Sequence, residues 1–180
     1  MPRPKETVAP VLSALELAER SRVLDQLLAA HRDLVEEAER TATGILGHVA
    51  VDEVAEELMW AVEALELDDL ASRAGPQAGG GYVHETEAAY ELVEELVLPY
   101  VDDMQRRAKL GLHAPARVLA PGTVVGLYRC APASDGKVLG YAGEDTLVNL
   151  ADRARREAAD ARVDLPADQL ATLCPDWSPR

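Results

Sequence analysis

Phenylalanine is absent from the chain, and Trp and Tyr supply all of its 4% aromatic content. An interior of stacked rings or aromatic-rich strands is thereby excluded. Hydrophobic residues still make up 48% of the sequence, so the core has to be built from Leu, Val and Ala. Ala and Leu lead the helix propensity order, whereas aromatic and β-branched residues favour sheets. Lysine is nearly as scarce. Only Lys5, Lys109 and Lys137 occur, leaving 15 of the 18 basic charges to arginine, a bias that fits a GC-rich bacterial-type genome or mild salt adaptation.

Positive charge is short as a whole. Against 18 basic residues stand 32 acidic ones, a net of −14. Such a surface repels phosphate, which argues against nucleic acid and anionic membranes as partners. Cysteine is limited to Cys130 and Cys174, with no CxxC and no clustered ligand. No stretch approaches the roughly 18 apolar residues of a membrane span, and the opening MPRPKETVAP has basic residues without the apolar segment of a secretory leader. Two isolated thiols then suggest a reducing compartment, and a cytoplasmic location is expected.

The familiar catalytic spacings are missing too. There is no GxxxxGK[ST], GxSxG, HExxH or GxGxxG. The Glu-x-x-His pairs of a di-iron bundle fail because Leu28, Ile45, Gly81 and Leu110 stand three residues before the four histidines. These absences lower the expectation of an enzyme without removing it.

What is present is helical periodicity. A chain of 180 residues suits one compact unit. The expected organisation is a loose arm over 1–12, a helical domain over 13–174 with a Gly-rich connector at 75–82, and an irregular tail at 175–180. Ser13 with Glu16 fits a capping box opening a helix over 14–30, with Leu17, Val23, Leu24, Leu27 and Leu28 as a buried stripe. Further helices are expected over 34–46, 53–66 capped by Asp52, 68–74, 86–110, 146–162 capped by Asp145, and 166–173. That over 86–110 is the strongest. It sets Ala89, Leu92, Val93, Leu96, Val97 and Tyr100 against Glu87, Glu91, Glu94 and Glu95, with a kink expected near Pro99. Residues 123–141 read either as a disturbed helix or as a short β-hairpin turning at Asp135-Gly136. The fold class is all-α, an antiparallel array of about six or seven helices.

Candidate functional residues are few. His84, Glu87, Glu91 and Glu94 recur at helical spacing and could align as metal ligands, but the same stripe lies opposite the apolar face and reads as solvated surface. No metal or cofactor is expected. Glycines 79–81 could offer backbone N–H groups to an anion, yet no lysine follows and Glu85 and Glu87 oppose it. Trp60, Tyr82, His84 and Tyr90 form a candidate pocket if the helices around the 75–84 loop converge.

The leading functional expectation is a non-enzymatic interaction or scaffold domain. Its candidate surface is Glu87, Glu91, Glu94 and Glu95, its partner another protein of basic character, and homo-oligomerisation is compatible with the sequence. An enzyme or small-ligand domain with a pocket near 75–84 is the alternative. An acidic decoy occupying a basic partner is the second.

Overall fold

The structure, a computed structural model, describes residues 10–130, 137–175 and 177. It is an all-α multi-helix array, 77% helical, with nine α-helices and one two-stranded ladder among the described residues. The helices are α1 (Pro10–Ala14), α2 (Leu17–Ala30), α3 (Val35–Gly47), α4 (Val51–Glu63), α5 (Leu67–Arg73), α6 (Glu85–Lys109), α7 (His113–Cys130), α8 (Thr146–Asp160) and α9 (Ala167–Leu173). Most of the expected 1–12 arm and 175–180 tail lie outside the described residues.

The chain divides into two units, Met1–Ile45 and Leu46–Arg180. The sequence pattern predicts one helical domain over 13–174 with a Gly-rich break at 75–82. That break falls inside the second unit, where it is a tight hairpin.

The second unit holds the core. Its centre is α7, on which α4, α6 and α8 pack. Twelve of the 18 residues of α7 are buried, including every residue from Leu119 to Leu127. The close approach to α4 depends on glycine: a Cβ on Gly126 would lie 3.0 Å from the Ala55 carbonyl oxygen and 3.1 Å from Leu58 Cβ. Around this pair Val54, Leu58 and Val62 of α4 meet Val93, Val97, Val101 and Met104 of α6, with Leu150, Ala151, Ala154 and Ala158 of α8 closing the cluster. A smaller cluster of Leu70, Ala88, Ala89, Leu92 and Val138 joins α5 to α6. The interior is thus Val, Leu and Ala, as the composition requires.

Residues 124–130 are helical within α7, and Val138–Tyr141 form a 3-10 turn. The hairpin alternative for 123–141 therefore does not form as strands, while 131–136 lie outside the described residues. Strand pairing occurs instead in the Gly-rich connector. There β1 (Gly75–Pro76) pairs antiparallel with β2 (Tyr82–Val83), Gly75 opposite Val83. Gly80 and Gly81 have positive φ (81° and 116°), which lets the loop close. Pro99 lies within α6, which continues through it.

The first unit has a different character. Leu17–Gly47 is helical except at His31, where φ −127° and ψ 79° separate α2 from a 3-10 turn and α3. Neither α2 nor α3 contains a buried residue, and the two make little contact with each other. Of the stripe expected to be buried in α2, Leu17 is 85% exposed and Leu24 and Leu27 are also exposed, while Val23 and Leu28 are half-buried. Leu34, Ala42 and Ile45 of the next segment are exposed as well. The pattern shows correctly that one face is apolar, but no element of this unit covers it.

Candidate functional site

Three surfaces carry the residues that could act. The first is the acidic side of α6. Arg73, from the end of α5, holds Glu95 in a two-pronged contact of 2.8 Å and 2.8 Å and lies 3.7 Å from Glu91. The Glu95 side chain is held below its ordinary carboxylate range by the hydrogen bond from Arg73, against a smaller opposing effect of burial. Glu94 points the other way and pairs with Arg153 of α8. Only Glu87 of the four carries no ion pair among the described residues. The acidic face is therefore largely used in joining α5, α6 and α8.

The aromatic pocket expected at 75–84 is not assembled as such. Tyr82 and His84 meet edge to face with ring centroids 5.0 Å apart, but Tyr82 is 55% exposed. Trp60 on α4 is 59% exposed, and Tyr90 packs against the main core. Burial first, then the charge of Glu94, pushes the Tyr90 phenol up. The glycine loop spends its own polar groups internally: Gln77 N–H donates to Gly81 and Gly80 N–H to Gln77 (3.1 and 3.0 Å).

A second surface, which sequence reasoning did not foresee, is a cleft of about 310 Å³. His48 stands before α4, Glu53 and Glu57 lie on α4, and Tyr100, Asp103 and Arg107 come from the second half of α6. Arg107 is the least exposed of these charges. Its guanidinium donates to Asp103 (2.9 Å) and to the Leu46 carbonyl, joining α6 to the chain entering the second unit. Burial alone would raise the Asp103 carboxyl, but hydrogen bonds from Arg107 and Arg106 outweigh it and lower the group. Tyr100 moves up, by burial and then by the charge of Glu57.

Chemically this is a structural clasp. Asp103 is committed to two arginines and is a poor base, and His48 makes no hydrogen bond among the described residues that would orient it for proton transfer. Among the described residues no group of three or more His, Cys, Asp and Glu is placed to hold a metal ion. Both cysteines are free and buried. No helix among the described residues is long and apolar enough to cross a membrane.

The third surface is the open face of the first unit. Thirteen large hydrophobic residues are exposed in the described chain, and eight of them belong to Met1–Ile45: Val11, Leu12, Leu17, Leu24, Leu27, Leu34, Val35 and Ile45. A quarter of the sequence thus carries most of its exposed apolar bulk. The signal was present in the periodicity and was assigned to a core instead.

No protein-family model matches the chain, and no curated protein or solved structure matches it.

Proposed function

We infer that this protein is an interaction module, in which the Leu46–Arg180 unit supplies a stable helical body and the Pro10–Ile45 segment supplies the docking surface. The observation that carries this reading is the exposed apolar face of α2 and α3, with no buried residue in either helix. Helices of 13 and 14 residues are marginal alone in water and draw most of their stability from covering such a face. Large contiguous apolar exposure marks a binding surface more often than a solvated one.

The acidic side of α6 supports docking less well. Glu91, Glu94 and Glu95 already face arginines, so a basic partner would have to displace Arg73 or Arg153. The test is a photo-crosslinking residue placed in the native cell at Leu24 or Leu27, with Glu87 and Trp60 as comparison positions. Crosslinks to protein from the two leucine positions, and not from the comparison pair, are expected. Crosslinks confined to Glu87 would move the docking surface to α6.

A further inference from the structure

One end of the Leu46–Arg180 unit departs from the backbone and charge preferences that its helices otherwise keep. Two helices close there by the same pattern. In α6 the Gly111 N–H donates to the Ala108 carbonyl (3.0 Å) and the Leu112 N–H to that of Arg107 (2.9 Å), with Gly111 at φ 77°. In α8 the Arg162 N–H donates to Ala159 (3.0 Å) and the Val163 N–H to Ala158 (2.8 Å). The left-handed residue of such a closure is ordinarily glycine. In α8 it is Arg162 at φ 59°, the one non-glycine residue with positive φ among the described residues, and its Cβ makes that conformation unfavourable. The charge is reversed as well: α8 ends on Asp160, where the helix dipole favours a base. Helix closure alone therefore explains neither residue.

Both line one open cleft of about 430 Å³, together with Lys109 from the last turn of α6 and His113 from the start of α7. Six arginines of this unit hold acidic partners. The side chains of Lys109, His113, Asp160 and Arg162 instead make no hydrogen bond or ion pair among the described residues. The other polar lining group, the Gln105 amide, already donates to Glu157 at 2.6 Å. Three unengaged donors thus stand around one cavity, each from a different segment.

The chain's net charge of −14 does not decide what this cleft attracts. At moderate ionic strength screening confines the influence of exposed charges to about 8–10 Å, and among the lining residues Lys109 and Arg162 outnumber Asp160. Three donors suit a group with three acceptor oxygens and nearly two charges, which is a phosphate monoester. The Arg162 fork can grip two of those oxygens while Lys109 adds a point charge. No Trp or Tyr lines the cleft as a platform for a nucleobase, and Ala108 and Ala161 offer only small apolar contact. Asp160 is an acceptor without a donor, which suits a hydroxyl on the same ligand.

We propose that this cleft binds a small hydroxylated phosphomonoester, with Lys109, His113 and Arg162 donating to the phosphate and Asp160 accepting from a hydroxyl. The site lies wholly within the Leu46–Arg180 unit and does not depend on the docking surface proposed for α2 and α3.

The experiment titrates the full chain at fixed ionic strength with glycerol 3-phosphate, and with succinate as a dianion of different geometry, by calorimetry and amide NMR shifts. Saturable binding of glycerol 3-phosphate is expected, with shifts centred on Lys109–His113 and Asp160–Val163 and no comparable response to succinate. Arg162→Gly and Lys109→Ser should each weaken it by about 10-fold or more. Arg40→Ser, which removes the same charge from the first unit, should leave it unchanged. Arg162→Gly should also leave the thermal midpoint of the ligand-free chain equal or higher, because glycine adopts the left-handed backbone freely, whereas a residue serving stability alone would lower it. Lys109→Ser alters no special backbone position, so its loss of binding is read independently of that relief. Absence of saturable binding, shifts confined to other segments, or undiminished affinity in R162G and K109S overturns the proposal. Equal binding of succinate overturns the phosphate assignment, and an equal loss in R40S overturns the site.

Discussion

A Cβ placed on Gly122 would lie 2.7 Å from Cβ of Val54, closer than side chains approach one another in folded proteins. Because the obstacle begins at a Cβ, one helix must move away from the other. Gly122→Ala should therefore destabilise the protein by about 1–3 kcal/mol despite the better helix propensity of alanine. Gly44 in α3 has nothing within 4 Å of such a position, so Gly44→Ala should be neutral or raise helicity. Chemical denaturation with far-UV circular dichroism separates the two. Equal and favourable effects would mean that α4 and α7 are not in close contact.

Arg107 should be the most costly surface-facing charge to remove. Arg107→Ala leaves Asp103 half-buried with one arginine fewer and frees the Leu46 carbonyl, a loss of about 1–3 kcal/mol. Lysine cannot reproduce the fork and should recover only part. The sign with pH follows from the lowered Asp103 group: its contribution is present above the ordinary aspartate value and lost as pH falls through the native one. Denaturation midpoints in the acid range should converge for wild type and Arg107→Ala.

Glu94→Ala reads as silent from the sequence, where Glu94 is one more acid on a solvated stripe. The structure pairs it with Arg153 and sets both against Tyr90. A cost of about 0.5–1 kcal/mol is expected, allowing for partial exposure. The same change made in an Arg153→Ala background should cost much less, which a double-mutant cycle measures.

Alkali should weaken the fold through its thiols. Burial, with the Glu63 charge adding to it, pushes Cys130 up to about 12, and burial raises Cys174 against the opposing charges of Arg129 and Arg155. In the unfolded chain both protons leave at the ordinary value near 9. Between that value and the native ones the native state binds more protons, so stability falls as pH rises. Cys130→Ala should flatten that decline, and a thiol reagent should label native Cys130 far more slowly than the denatured chain. Rapid native labelling would show that the thiol is not buried.

Much of the helical layout was legible from periodicity. The segment expected over 86–110 is α6 (Glu85–Lys109), and its buried side is Ala89, Leu92, Val93 and Val97 as the pattern requires. Its half-buried flank contains Leu96 and Tyr100. Local capping was less legible. The box expected from Ser13 and Glu16 is formed by Glu16 and Glu19, because α1 takes up Ser13, and the N-cap of α4 is Ala50 while Asp52, within the first turn, pairs with Arg129 at 2.6 Å. Residues 123–127 are ambiguous in sequence for a physical reason: a run of helix buried on all sides shows no polar face, so its period cannot be read.

The candidate sites were harder still. Glu57, Tyr100 and Arg107 meet across α4 and α6 without any local motif. For α2 the pattern of Leu17, Leu24 and Leu28 specified an apolar face but not what covers it. Periodicity does not set whether such a face is covered, and the three-dimensional arrangement leaves Leu17 and Leu24 exposed.

The central claim is that folding and docking are divided at Ile45 and Leu46, and thermal unfolding of residues 46–180 alone, beside the dilute full chain, tests it most directly. At 135 residues this unit is large enough to bury its own core, and every buried cluster described lies within it. The shortened chain should unfold in one cooperative transition, with a midpoint within a few degrees of the full chain. A midpoint lowered by more than about 10 °C, or loss of the cooperative transition, would show that α1–α3 belong to the core and would contradict the assignment of their apolar face to docking.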